Sequence, residues 1–498
     1  MFFYALLVLP YVPNVSYYFH TCTVKTNFAG NLYGMETKKN LILILASVGT
    51  FVEALDIAII NLTIPSIQEQ FNIGAETVQW LQTLYVLFFG GFLIIGGKLS
   101  DQIGRKKMFL IGSAIFMLTS LGAGLSADFR TLAIFRALQG LGAAFIMPSA
   151  LSIVTHTFTE MQERNRAVGV FSSFAAIGSG SGLSLGGIIS TYLSWHWVFL
   201  INVPVLLITI IFALKYLPSD DNGEQTAKTD VLSGILLIAG LLSLTYGTHE
   251  FIHITEQPLP VGGSLLASVL LLSAVIFRLR HSAQPLIDLR ILKHRSLNVS
   301  NIAFFALGAF FIGFLFLISL MLQKDMGYTA AASGLLLVPF SIMSALLAKF
   351  VLPLVSKRLN SGQMGLMGWS FMLTGSVLLL LSVHFNYPLT IVLMGAACIS
   401  GIGMTFCFTA LSVLGIRDVE PMHYGVASGM GSTSYFLGAG LGLSLMSLLN
   451  QIFPSEHAVG DLNFIILMLY AIGIIILLTY FAIRHSKSGK PAVAVSLD

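Results

Sequence analysis

The chain has 498 residues; 56% are hydrophobic, 10% are charged, and the formal net charge is +4. Soluble domains carry about 25% charged residues, so composition excludes a soluble fold and indicates an integral membrane protein. Three cysteines (Cys22, Cys398, Cys407) exclude a disulfide framework, and no Cys/His cluster has metal-ligand spacing, so neither a metal nor a cofactor is expected.

Residues 1–34 come first. "MFFYALLVLPYVPNVSYYF" lacks the positive start of a signal peptide, and Pro10, Pro13 and Asn14 interrupt it as a span. Met35, followed by "ETKKN", reads as a natural start, so 1–34 is assigned as an extension or a misassigned start.

About 20 apolar residues are needed to cross a bilayer as a helix. Fourteen such stretches follow: 41–65, 77–97, 108–126, 130–156, 165–193, 198–217, 231–249, 261–279, 298–322, 331–355, 363–383, 388–415, 424–449 and 462–483. Runs of this length without period-2 alternation are helices rather than barrel strands. The longest connections, 218–230 and 280–297, leave no room for a soluble catalytic domain.

Lys and Arg set the orientation. With both termini in the cytoplasm, 22 of the 26 basic residues fall on that side. Arg130 and Lys324 fall opposite, and Arg136 and Lys349 lie inside spans.

The spans group as six, two and six. Residues 35–217 form an N-terminal six-helix half. Residues 218–297 hold a polar linker, two inserted helices packed at the side, and a basic stretch whose Leu286, Ile287, Leu289, Ile291 and Leu292 alternate with charges. That stretch reads as a short amphipathic helix on the cytoplasmic membrane face. Residues 298–485 form a C-terminal six-helix half, and 486–498 a cytoplasmic tail. The halves echo one another: "PLVSKRLN" (353–360) follows its second span as "GKLSDQIG" (97–104) follows the second span of the first half.

"GKLSDQIGRKK" (97–107) resembles the loop 2–3 motif of the major facilitator superfamily. "LDIAIINLTIPSIQ" (55–68), "RALQGLGAAFIMPSAL" (136–151), "GSGSGLSLGG" (178–187) and "WHWVFLINVP" (195–204) resemble first-, fourth-, fifth- and sixth-span motifs of its fourteen-span drug:proton antiporters. "PLIDLRIL" (285–292) and "GYTAAASGLLLVP" (327–339) look like the same group. The resemblance covers about 35–485. It implies an all-α major facilitator fold of fourteen helices, placed in the inner membrane, exporting apolar, cationic drug-like compounds in exchange for protons. Gln102 stands where the loop motif usually has Arg, and Leu183 where the fifth-span motif usually has Pro.

Two acids lie deep in a span: Glu53 and Asp56. Spaced i,i+3, they share a face of the first helix with Thr50 and Asn61. A carboxylate in hydrocarbon is costly and marks a functional site or a structural polar pair. Arg136 is the only Arg well inside a span. At 1.5 Å per residue, Asp56 and Arg136 both lie about 21–22 Å from the cytoplasmic side. A pair or relay between them follows, and the resemblance ties that Arg to proton coupling; a static buried ion pair is the alternative. Glu53, Asp56 and Arg136 are the proton-coupling set. Thr50, Asn61, Phe305 and Phe311 are assigned to the substrate cavity, while most of the neighbouring phenylalanines (Phe304, Phe310, Phe314) read as lipid-facing. Lys349 reads as snorkelling to the headgroups, and Trp195 and Trp197 as interfacial anchors.

The glycines Gly178, Gly182, Gly186 and Gly187 permit close helix packing. Gly97, Asp101, Gly104 and Arg105 form the gate implied by the resemblance: Asp101 caps a helix starting near residues 422–425, or else pairs locally with Arg105. Expected partners are protons, a small-molecule substrate and the bilayer. No nucleic acid is implied, and a monomer is expected. Some members of the group use a periplasmic adaptor and an outer-membrane duct, which the sequence leaves open. Other readings are an exporter or symporter of a dedicated metabolite, siderophore or lipid precursor and, remotely, a membrane enzyme or sensor. No nucleophile motif supports an enzyme.

Overall fold

The computed structural model describes residues 26–218, 230–251, 254–282, 285–287, 289–420, 424–453 and 459–487. Ile42–Asp498 form one compact unit, and Met1–Leu41 a separate one. Most of the expected extension, and nearly all of the expected tail, therefore lie outside the described residues.

Every regular element among the described residues is helical. In chain order they are α1 (Thr26–Ile59), α2 (Ile64–Phe71), α3 (Ala75–Ile103), α4 (Arg105–Gly124), α5 (Phe129–Thr157), α6 (Met161–Tyr192), α7 (His196–Leu200) and α8 (Asn202–Tyr216). Then come α9 (Val231–His249), α10 (Pro258–His281), α11 (Arg295–Leu320), α12 (Ala330–Leu346), α13 (Leu352–Ser356) and α14 (Ser361–His384). The last four are α15 (Leu389–Ala396), α16 (Met404–Ile416), α17 (Tyr424–Ile452) and α18 (Asp461–Lys487). Single π turns carry α12 into α13 at Leu347–Val351 and α15 into α16 at Ala397–Gly403. Among the described residues, thirteen stretches are long and apolar enough to span a bilayer. The 29-residue α17 stands where the thirteenth span is expected.

Local chemistry sets the helix ends. Asp128 caps α5 by accepting from the Thr131 backbone at 2.9 Å. Asn360 and Gln363 form a reciprocal capping box on α14. Gly104 turns α3 into α4 at φ 110°, a conformation that L side chains rarely adopt.

The first group of helices packs around α5, which lies against α3 and α4. The second packs around α11 and α14, with α11 against α17 and α14 against α18. Two helix pairs join the groups: α6 with α12, and α3 with α17. In the inserted pair α9 and α10, α9 packs on both α3 and α17. Ile238 lies against Gly91, and Ile95 against Gly234.

The basic stretch after α10 also differs from expectation. Its described part holds one 3-10 turn, Leu289–Lys293, in place of an amphipathic helix. Ile291 packs into a cluster with Leu297, Val419, Ala427 and Met430, and Ile287 and Leu292 pack against it, so these three positions face protein rather than lipid. Period-2 alternation fits such a packed turn as well as it fits a membrane-surface segment.

Candidate functional site

α1 carries the polar stripe. At Asp56 the chain is fully buried, and Glu53 is 5% exposed. Arg136 of α5, also fully buried, forms an ion pair with Asp56. The other Asp56 oxygen accepts from Asn202 Nδ2 of α8 at 3.1 Å. Arg136 is fixed in turn by Gln139 Oε1 at 2.9 Å and by the Leu81 carbonyl at 3.2 Å. Gln139 donates to Ser120 of α4 at 2.7 Å. The guanidinium lies over the Tyr85 ring at 4.4 Å, with Phe199 at 5.7 Å. Side chains of α1, α3, α4, α5, α7 and α8 thus converge on one pair. Glu53, one turn before Asp56, makes no hydrogen bond among the described residues.

Immediately beyond this site α1 ends in a 3-10 turn, Ile60–Leu62. α6, α11 and α12 all pack on that turn. Asn61 is fully buried there; its Nδ2 donates to the Ile57 carbonyl at 3.0 Å. The Asn61 carbonyl accepts from Ser319 Oγ of α11 at 2.5 Å. This is a direct link between the two helix groups, at the end of the bundle away from the basic loops.

Glycines bring α6 against both neighbours. A Cβ at Gly178, Gly182 or Gly186 would come within 2.4, 2.7 or 2.5 Å of the Phe51, Leu55 or Ile59 carbonyl of α1. A Cβ at Gly187 would come within 2.1 Å of the Ala330 carbonyl of α12, and one at Gly334 within 2.4 Å of the Leu183 carbonyl. With Leu183 in place of the motif's Pro, α6 continues unbroken.

At the basic end, Gly97 has ordinary contact with Pro148, while Gly96 is the close approach, 2.1 Å from the Ala144 carbonyl were a Cβ present. Asp101 is exposed, with Arg105 and the titratable His156 as its neighbours. Of its other expected partner, the helix start near 422–425, residues 422 and 423 lie outside the described residues, and α17 begins at Tyr424. The loop lysines have specific tasks. Lys106 donates to the Leu214 and Leu217 carbonyls at 2.9 and 2.8 Å, closing the end of α8. Lys98 donates to the Pro285 carbonyl at 2.8 Å, tying α3 to the segment after α10.

Other expectations change. Trp195 is 2% exposed and donates to Gln70 Oε1 at 2.7 Å, so it is an internal pin rather than an interfacial anchor; Trp197 is 51% exposed. Phe304, Phe310 and Phe314 are buried, because α11 runs through the middle of its group instead of facing lipid. Phe305 is 38% exposed, and Phe311 is half-buried beside Phe314. Thr50 is buried. The described contacts bring Ser319, rather than Phe305 or Phe311, to Asn61. A groove of about 500 Å³ lies along α12 between Tyr328 and Phe340, and contains none of the expected cavity residues. Lys349 is exposed, its ammonium 5.3 Å from the centre of the Phe350 ring. Asn202, Gln139, Tyr85 and Ser319 were not singled out from sequence; Asn202 lies within the "WHWVFLINVP" stretch.

Two groups of spanning helices, the first of which encloses the buried ion pair, make this a polytopic membrane protein. The chain belongs to the Major Facilitator Superfamily, whose model matches residues 46–443. It is 29% identical over 83% of its length to "Multidrug resistance protein Stp" of Mycobacterium tuberculosis (strain CDC 1551 / Oshkosh), covering 76% of that protein. It is 31% identical to "Cephamycin export protein CmcT" of Amycolatopsis lactamdurans, covering 81% of this chain and 83% of that protein. It is 30% identical to "Puromycin resistance protein pur8" of Streptomyces alboniger, covering 82% and 80%. Among solved structures, the POT family transporter PepTSo matches with a TM-score of 0.69 at 13% identity, over 91% of this chain and 99% of that one. That likeness defines the fold. The chain is a multi-pass inner-membrane protein.

Proposed function

We propose that this protein exports apolar, cationic drug-like compounds across the inner membrane in exchange for protons, by alternating access. In this reading fourteen spans place both termini in the cytoplasm, and residues 35–217 and 298–485 form the two halves that rock about the site. The names of the relatives support export of drugs and antibiotics. The observation that carries the mechanism is Glu53: a buried carboxylate with no hydrogen-bond partner among the described residues, one turn from an ion pair that is fully satisfied on the carboxylate side. Glu53 takes up and releases the transported proton, and the Asp56–Arg136 pair sets the field in which it does so. Protonation changes the charge of the site and hence the balance between inward- and outward-open states. The substrate path runs between α1 and α11, past Thr50 and Phe311. Asp101, Arg105 and Gly104 act at the cytoplasmic gate.

The test is transport in proteoliposomes with and without an imposed proton gradient, using a panel of lipophilic cations. Concentrative uptake that follows the gradient supports the reading; uptake indifferent to it overturns the reading. A single dedicated substrate is the second reading, favoured by the cephamycin exporter among the relatives. Activity on one compound of the panel and no other would select it.

A further inference from the structure

Buried polar atoms in membrane proteins find partners, because leaving one unpaired forfeits its hydration with nothing in return. Asn61 Oδ1, Gln79 Oε1, Gln82 Oε1, the Tyr85 hydroxyl and one Arg136 nitrogen have none among the described residues. All five side chains are at least nine-tenths buried. They are not scattered. Gln79, Gln82 and Tyr85 follow one another at i,i+3 and share a face of α3. Gln82 Nε2 approaches the Ile57 carbonyl at 3.5 Å, and Asn61 Nδ2 reaches the same carbonyl at 3.0 Å. Ile57 is the residue after Asp56. Tyr85 covers Arg136 at 4.4 Å. The row thus descends from the fifth residue of α3, at the end away from the basic loops, to the Asp56–Arg136 pair. It spans about 9 Å of helix.

Polar side chains with spare acceptors, in a row that ends at a carboxylate, have the chemistry of a hydrated proton route. We propose that Gln79, Gln82, Asn61 and Tyr85 line the path by which protons reach Asp56 and Glu53 from the side opposite the basic loops, and that the Ser319–Asn61 hydrogen bond closes it. Ser319 belongs to the second helix group and is itself held by Gln323 Nε2 at 2.9 Å. Separation of the groups breaks the Ser319 contact and opens the row to water. Among the described residues, the charged and titratable groups facing the two carboxylates are Arg136 and Tyr85. His249, edge-on to Trp80 with ring centroids 5.6 Å apart, stands near the mouth with Glu250 beside it. The packed segments 108–124, 167–191, 202–214 and 296–320 carry no charged or titratable residue.

The inference rests on proton-coupled export, and its test separates the two. In proteoliposomes, Gln82→Met keeps the side-chain length and removes its polar atoms. Proton-driven uptake should slow at least 10-fold, while substrate exchange at equal pH on both sides stays within about 2-fold, because exchange needs no proton to move. Ser319→Ala should dissipate an imposed pH gradient several-fold faster without substrate; this second variant decides the matter if Gln82→Met fails to fold. Wild-type proton-driven rates in Gln82→Met, or an unchanged leak in Ser319→Ala, would overturn the route. Absence of proton-driven transport in the wild type would instead overturn the proposed function.

Discussion

Arg136 reaches from α5 to Asp56 on α1 in a shell where neither side chain touches solvent. Such a pair is a weak source of net stability but a costly one to break, since the survivor is a buried charge with no counter-ion. Arg136→Met should destabilise the protein by about 3–5 kcal/mol. The double variant Asp56→Asn, Arg136→Met should recover most of that loss, because neither charge remains. Thermal unfolding of the detergent-solubilised variants measures both. A double variant as unstable as the single one would show that the pair is not what Arg136 contributes.

Glu53 and Asp56 sit one turn apart, yet amidation should cost stability at only one of them. Glu53 has no hydrogen bond to lose among the described residues, so Glu53→Gln should change stability by less than about 1 kcal/mol, within the range of a substitution that breaks no network. Its proton-driven transport should fall at least 100-fold while substrate exchange persists. Asp56→Asn removes the partner of Arg136 and should lower stability as well as transport. Comparing melting temperature with gradient-driven uptake for the two variants separates carrier from scaffold.

The pairing of Asp56 with Arg136 was legible in the sequence because both are rare intramembrane charges and helical rise fixes their depth. Depth does not give azimuth. Asn202, Gln139 and Tyr85 are uncharged and common enough to carry no signal until the helices are placed around α1. Ser319 was hidden for another reason: its partner is a backbone carbonyl in the other helix group, 258 residues away. Trp195 misled because an aromatic at a span end fits an interfacial belt equally well; only the Gln70 acceptor, on the short α2, reveals the buried role. The glycine row on α6 announced close packing. Which neighbour each glycine meets required the structure.

Asp230 gives a pH prediction outside the spans. It precedes α9 and accepts from the Ser233 backbone at 3.2 Å, Ser233 Oγ at 2.5 Å and Arg278 at 2.7 Å. Burial opposes its charge, but the hydrogen bonds from Ser233 and Arg278 outweigh that and hold the carboxyl below the usual carboxylate range. A folded-state value below the unfolded one means that the clasp stabilises fully above about pH 4 and is lost as pH falls further. Asp230→Asn should therefore melt below wild type at pH 7, with the gap closing toward pH 3. A gap that widens on acidification would show that the carboxylate is not what holds α9 to α10.

Two glycines of one row should fail differently. At Gly182 an added Cβ meets the Leu55 carbonyl at 2.7 Å and Ala58 Cβ at 2.8 Å, both on α1 within the same helix group. Backbone cannot step aside cheaply, so Gly182→Ala should lower the melting temperature and the yield of monodisperse protein. At Gly187 the Cβ meets Ala330 backbone at 2.1 Å, across the contact between α6 and α12. The two helix groups can relieve that clash by separating, because alternating access requires them to part there. Gly187→Ala should therefore fold with near wild-type yield but disfavour the state in which this end is closed. Transport should slow while substrate binding, measured by ligand-induced thermal shift, survives. Gly169→Ala is the control: beyond its own stretch of helix no atom lies within 4 Å of an added Cβ, and both yield and transport should match wild type. Equal damage at Gly182 and Gly187 would show that the α6–α12 contact is fixed packing and does not open during the cycle.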